Sequence, residues 1–144
     1  EIRRIARRLR PGVLEELGLT SALKALATEF SATGLAVRGR FDNDLPVLGR
    51  DVELVLYRVA QESLTNTARH ARAGHVDLTL RRHPDGVVLH LRDDGRGLGD
   101  AVEGAGIRGM RERALLIGAD LAVGSYAGGG TEVRLLVQHP AGDA

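Results

Sequence analysis

The sequence contains no cysteine, which excludes disulfides, thiolate catalysis and zinc–thiolate sites. It has no tryptophan, two tyrosines and two phenylalanines, and its basic residues form no stripe interleaved with aromatic rings. Both features argue against a nucleic-acid partner. Lys24 is the only lysine, so nearly all positive charge is carried by arginine. No apolar run approaches the ~18 residues needed to cross a bilayer. Residues 1–10 are charged and arginine-rich, without the apolar stretch of a signal peptide. The expectation is a cytoplasmic segment that makes no membrane contact, any membrane anchor of a parent protein lying outside it. The five histidines fall in no metal-ligand spacing.

What is present suits one folded domain. The 144 residues are 43% hydrophobic and 27% charged, with a net charge of +1, enough for one core under a solvated surface. Glycine is in excess: 19 residues, about twice the ordinary share of ~7%. The excess concentrates between Gly95 and Gly109 and at Gly128, Gly129 and Gly130. Glycine clustered in this way marks backbone that bends sharply or approaches a ligand closely.

Periodicity divides the chain. Residues 1–10 carry Ile2, Ile5, Ala6 and Leu9 at helical spacing and begin without a cap. They are expected to be the end of a longer helix, closed by Pro11-Gly12. Thr20 or Ser21 can cap a second helix through Leu23, Leu26, Ala27 and Phe30. Residues 35–41 alternate as a half-buried strand, and 42–46 form a turn. The most helical stretch runs from Asp51 to about Arg72, with Val52, Val55, Leu56, Val59, Ala60, Ser63 and Thr67 on one side. Strands at 75–82 and 87–93 are joined by the turn Pro84-Asp85-Gly86. A loop at 94–106, a helix at 107–117 stopped by Gly118, and strands at 121–126 and 132–137 complete the pattern. Consecutive hairpins exclude a purely parallel sheet. The predicted fold is α+β: a two-layer α/β sandwich, a mixed and largely antiparallel sheet with helices on one face and a glycine-rich loop.

Four clusters carry candidate chemistry. Glu62 and Asn66, one turn apart on the long helix, point the same way, with Arg69 and His70 continuing that edge. Asn66, roughly in line with Val59, is expected to enter the core and require a polar partner. Asn oxygen and Glu carboxylate are hard ligands suited to Mg2+, and an arginine beside them can hold a phosphate. Read alone, however, this group is better explained as an ordinary half-buried amide bonded to a loop. Asp93-Asp94-Gly95-Arg96-Gly97 ends an apolar strand, so the Asp93 carboxylate is expected to be partly buried and to need donors. Gly104-Ala105-Gly106-Ile107-Arg108-Gly109-Met110 runs a glycine loop into a helix start, whose free N–H groups and dipole suit phosphate. It follows no strand directly, and no Gly-Lys-Ser/Thr occurs, so neither a dinucleotide fold nor a P-loop fits. Gly129-Gly130-Thr131 is by itself a hairpin turn.

Together and in this order the four clusters resemble the ATP-binding domain shared by sensor histidine kinases and the gyrase, chaperone and mismatch-repair ATPases. Residues 61–71, Gln-Glu-Ser-Leu-Thr-Asn-Thr-Ala-Arg-His-Ala, resemble its N box. Asp93 to Gly97 and Gly104 to Met110 resemble its glycine boxes, and Gly129 to Thr131 its closing element. Leu9-Arg10-Pro11, Leu14, Leu17-Gly18-Leu19 and Ala22-Leu23 are similar to the linker of kinases paired with nitrate-response-type helix-turn-helix regulators.

The resemblance implies ATP and Mg2+ as cofactors and transfer of the γ-phosphate to a histidine. It implies that Asn66 ligates Mg2+ and that Glu62 positions the metal, a water or the acceptor. Arg69 would contact phosphate, and His70 would pack near the ribose or phosphates. Asp93 would accept from the adenine amine, with Thr131 in support through a hydroxyl or a water. Gly95, Gly97, Gly104, Gly106 and Gly109 would shape a lid whose helix start, Arg108 to Met110, faces the phosphates. Residues 1–19 would end a dimerisation helix and linker, and 20–144 would form the catalytic domain. None of His70, His75, His83, His90 or His139 sits in the acceptor motif. The acceptor histidine, on dimerisation helices, is therefore expected outside these residues, and the isolated fragment is expected to be a monomer or weak dimer. The implied partners are those helices and a cognate response regulator. Two other activities stay open at this point: an anti-sigma-factor-type serine kinase, and a nucleotide-binding regulatory module without phosphotransfer.

Overall fold

The computed structural model describes residues 11–71, 74–95, 105–125 and 129–138. The expected helix at 1–10 lies outside them. Helix α1 spans Pro11–Ser31 but is divided at Gly18, whose φ of 87° and ψ of 170° are not helical. The sequence pattern places Pro11-Gly12 at the end of a helix; in the structure both lie in helical backbone. Proline's fixed φ suits a first helical turn as well as it suits a stop. The break falls instead at Gly18, because only glycine adopts its left-handed φ without a Cβ penalty.

Strand β1 (Ala36–Phe41) is followed by helix α2 (Arg50–Asn66), which continues into a π-helical turn at Thr67–Ala71. Gly49 precedes α2 without a side-chain cap, but Asp51 and Glu53 place negative charge against the positive end of the helix. Strands β2 (His75–His83) and β3 (Gly86–Asp93) form the expected hairpin. Helix α3 (Ala105–Leu116) leads to β4 (Asp120–Ser125) and β5 (Thr131–Gln138).

The five strands lie in the order β1-β2-β3-β5-β4. Only β1 and β2 are parallel, linked by the α2 crossover; the other three pairs are antiparallel. The architecture is the predicted two-layer sandwich with a mixed, largely antiparallel sheet. Alternation decides the faces. Leu78 and Leu80 of β2, Val87, Leu89 and Leu91 of β3, and Val133, Leu135 and Val137 of β5 are buried. They pack in one cluster with Leu23 and Leu26 of α1, Leu56, Val59 and Leu64 of α2, and Met110 of α3. Among the described residues no helix is long and apolar enough to cross a membrane.

Two consequences position a site. Asp93 occupies the next core-facing step of β3 after Leu91 and is therefore buried. Ser63 and Thr67 continue the apolar side of α2 and are likewise buried. Thr67 is buried, as its place on the apolar side predicts, but Asn66, expected in the core, is only half-buried. Asn66 is the last α-helical residue of α2, and at a helix end a polar amide can keep contact with water that a mid-helix position denies it.

Candidate functional site

The site gathers around the Asp93 carboxylate, where the ends of α2, β3 and β5 meet. Asp93 Oδ1 accepts the backbone N–H of Gly95 at 2.8 Å and that of Thr131 at 3.2 Å. Thr131 thus supports Asp93 through its main chain. The β4–β5 turn comes so close that a Cβ built on Gly130 would lie 2.0 Å from the Asp93 carbonyl oxygen. Asp93 Oδ2 faces the Thr67 hydroxyl at 3.3 Å, and the same hydroxyl lies 2.9 Å from the Ser63 carbonyl. One proton serves one of these acceptors at a time. A carboxylate offers about four lone-pair sites. Among the described residues only these three donors reach Asp93, so Oδ2 keeps acceptor capacity although the residue is 5% exposed. A buried acceptor left short of donors is costly, and a ligand N–H would relieve it.

One turn before Thr67, the Ser63 hydroxyl donates to Met110 Sδ at 3.4 Å, joining α2 to the first half of α3. Met110 is 1% exposed. Its side chain belongs to the core, leaving Arg108, which is exposed, and the α3 backbone to face outward. Glu62 and Asn66 share a flank of α2, both half-buried, and among the described residues neither has a hydrogen-bond or ion-pair partner. A carboxylate and an amide oxygen one turn apart are suited to a hard cation. The described residues hold no cluster of three or more His, Cys, Asp or Glu able to bind a metal alone. A cation there would take its remaining ligands from water and from anionic oxygens of a bound molecule, as Mg2+ commonly does. Arg69 is exposed in the π-helical turn, and His70 lies in that turn with its side chain outside the described residues. Gly97 and Gly104 lie outside the described residues, as does the loop expected to form a lid; Gly106 lies in the first turn of α3.

Sequence reasoning missed three supporting residues. Ser63 and Thr67 read only as positions on an apolar stripe, although two hydroxyls spaced four apart where α2 ends are a signal that something polar is buried there. The third is Asp94. Its Oδ1 accepts the backbone N–H groups of Gly74 and His75, each at 2.9 Å, while Oδ2 meets His75 Nδ1 at 3.0 Å. Asp93 turns in, and Asp94 ties the same turn to the start of β2. The His75 backbone N–H above all, opposed by desolvation and helped by the His75 ring and the Gly74 N–H, holds the Asp94 carboxyl below its ordinary value.

A lowered folded value means that stability is present above the ordinary aspartate range and is lost as pH falls through the folded value. Asp94→Asn should therefore melt below the parent at pH 7, by a small margin because both side chains are exposed and the pair is screened by solvent. The margin should close in acid. Melting curves from pH 7 down to about 3 check this; a margin unchanged by pH would show that the clamp does not depend on charge.

Known proteins resemble this chain in sequence and in fold. Residues 51–141 match the family described as histidine kinase-, DNA gyrase B-, and HSP90-like ATPase. The chain is 33% identical over 138 residues to the signal transduction histidine-protein kinase/phosphatase UhpB of Salmonella typhimurium, covering 93% of this chain and 28% of that protein. It is 30% identical over 142 residues to the oxygen sensor histidine kinase NreB of Staphylococcus carnosus, covering 95% of this chain and 41% of that one. The chain thus spans well under half the length of these relatives. The structure of a blue-light activated histidine kinase of Erythrobacter litoralis superposes with a TM-score of 0.70 at 27% identity, over 83% of this chain and 41% of that one. With the family match running from the start of α2 through β5, the chain belongs to the histidine kinase-, DNA gyrase B- and HSP90-like ATPases, as an ATP-binding domain of the sensor histidine kinase type.

Proposed function

We propose that this domain binds Mg-ATP between α2, the end of β3 and the start of β5. It then presents the γ-phosphate to a histidine on dimerisation helices, from which the phosphoryl group passes to a response regulator. The observation that carries the reading is the pairing of a buried carboxylate with spare acceptor capacity, Asp93, and a half-buried Glu62 and Asn66 on the adjacent helix that have no partner among the described residues. In this reading the adenine amine donates to Asp93 Oδ2, whose geometry the Gly95 and Thr131 N–H groups fix from the other side. The glycines flanking Asp93, Gly95 within the described residues and Gly97 beyond them, let the flat base lie against the backbone.

Asn66 and Glu62 fit Mg2+, which when bound supplies charge neutralisation across the phosphates. The amide oxygen would be the metal ligand; the Glu62 carboxylate would orient a metal-bound water or the acceptor. Arg69 and Arg108, both exposed at the rim, would pair with phosphate oxygens, and His70 would sit near the ribose or phosphates. The α3 N-terminus, with Gly106, Gly109 and the Met110 backbone, would face the phosphate chain, and Gly104 would belong to the lid. Phosphoryl transfer needs little from the protein beyond positioning and charge compensation, which these groups can supply.

Two measurements test the proposal. A ligand held at 100 times its Kd stabilises the folded state by about 2.7 kcal/mol, so Mg-ATP should raise the melting temperature clearly. In Asn66→Ala the Mg2+-dependent part of that rise should vanish while the unliganded melt changes little. An Asn66→Ala domain with the parent's Mg2+ dependence would remove Asn66 from the metal site. Mixing the domain with a protein that carries the dimerisation helices and ATP labelled at the γ-phosphate should give acid-labile label on that protein. Acid-stable label on serine would instead point to a serine kinase.

A further inference from the structure

The face of the sheet turned away from the helices is basic, and the charge is unevenly placed. Across the strands nearest the Asp93 end, the cross-strand neighbours Arg38, Asp77, Arg92 and Glu132 alternate in sign from β1 to β5. That row compensates itself. One step further from the site the row reads Arg40, Thr79, His90 and Arg134. The next reads Arg81, Val88 and Leu136, with Asp120 only at the edge strand β4.

Arg40, Arg81 and Arg134 are exposed, and among the described residues none of them has an ion-pair partner. The contrast with neighbouring Arg82 is direct, since Asp44 holds its guanidinium at 3.2 Å. Glu132 is held by His90 in a close pair and does not line the groove between the three arginines. A groove of about 450 Å3 runs between these side chains. The whole chain carries a net charge of +1, so a local excess of three uncompensated guanidinium groups is a polarised surface.

We propose that this open sheet face docks an acidic segment of a partner protein, with Arg40, Arg81 and Arg134 as the anchoring charges. Arg40 on β1 and Arg134 on β5 are separated by three inter-strand steps, roughly 14 Å at the backbone. Several carboxylates spread along a peptide can span that width. Guanidinium forks pair with carboxylates in bidentate geometry. Nucleic acid fits less well: no phenylalanine, tyrosine or tryptophan lines the groove to stack a base. A membrane fits poorly too, because Val47, Leu54, Leu115 and Leu116, the large exposed apolar residues, do not line the groove.

The probe is a fluorescently labelled oligo-glutamate peptide of about 20 residues, followed by anisotropy at low and raised salt. Binding should weaken with salt, and R40E/R81E/R134E should lower affinity at least about tenfold (~1.4 kcal/mol). R40Q/R81Q/R134Q, which removes charge without reversing it, should lose affinity in the same direction. The charge reversal K24E/R50E, made at exposed positions outside the groove, should change affinity less than about threefold. All three variants should keep the parent's ATP-dependent rise in melting temperature, which separates this surface from the nucleotide site. Absence of peptide binding overturns the proposal, as does an equal loss in K24E/R50E. Tighter binding of polyphosphate or a DNA oligonucleotide than of the peptide, with the same dependence on Arg40, Arg81 and Arg134, also overturns it.

Discussion

Gly130→Ala is expected to abolish the ATP-dependent rise in melting temperature and to lower the melting temperature of the free domain by roughly 10 °C. Two effects combine. Gly130 has a φ of +96°, a conformation that L side chains rarely adopt, and forcing one into such a region costs on the order of 1–3 kcal/mol. A Cβ there would also lie 2.0 Å from the Asp93 carbonyl oxygen and 3.1 Å from its carbon. Backbone must then move, and the backbone in question carries the carboxylate at the centre of the site. A total near 3 kcal/mol corresponds to a shift of that size in a domain of about 100 to 150 residues. Gly129 supplies the internal control. Its φ is +104°, but its added Cβ would meet only the Gly95 oxygen at 3.4 Å, an ordinary contact. Gly129→Ala should therefore show the conformational cost alone and retain a response to ATP. If the two variants melt alike and bind ATP alike, the close approach of the turn to Asp93 does not govern the site.

Asp93→Asn should leave the fold nearly intact while reversing what the pocket accepts. The amide oxygen can occupy the Oδ1 position and keep the N–H groups of Gly95 and Thr131. The amide nitrogen then sits at the Oδ2 position, where the Thr67 oxygen can accept from it while the Thr67 proton goes to the Ser63 carbonyl. The hydrogen bonds to Gly95, Thr131 and Thr67 are all kept, and the second amide N–H points towards the base. Only the ligand changes: a donor now faces the adenine amine, which is also a donor. The loss should be about 2–3 kcal/mol of ATP binding, one to two orders of magnitude in Kd. Inosine triphosphate, which carries a carbonyl where adenine has its amine, should gain relative to ATP. Calorimetric titration of both nucleotides against both proteins decides the matter. An unchanged ATP-to-inosine-triphosphate ratio would take Asp93 out of base recognition.

Much of this arrangement is legible in one dimension because it depends on local periodicity. The alternation Val87, Leu89, Leu91 places Asp93 on the inner face of β3 whatever the rest of the chain does. The hairpin turn at Pro84-Asp85 needs only its own residues and the strands beside it. Glu62 and Asn66 share a helix flank because they are four apart. Where a local rule ends, reading by period fails. Periodicity put both Asn66 and Thr67 on the inner side of α2; Thr67 is buried there, but Asn66, the last α-helical residue, is half-buried. Pro11-Gly12 permits either a helix end or a helix start, and local chemistry does not choose between them.

The sequence alone determined the order of the described elements, the mixed sheet and the identity of the carboxylate, amide and glycine groups. Each of these follows from spacing, from hydrophobic alternation or from the conformational freedom of a residue type. Only the tertiary structure decided which groups meet. Thr67, Gly95 and Thr131 are separated by up to 64 positions in the chain, yet all three donate to or face one carboxylate. The same is true of the sheet's outer surface, where Arg40, Arg81 and Arg134 come together only through the strand order β1-β2-β3-β5-β4. Strand pairing is a non-local choice, made by burying apolar faces against one another, and no window of sequence contains both partners.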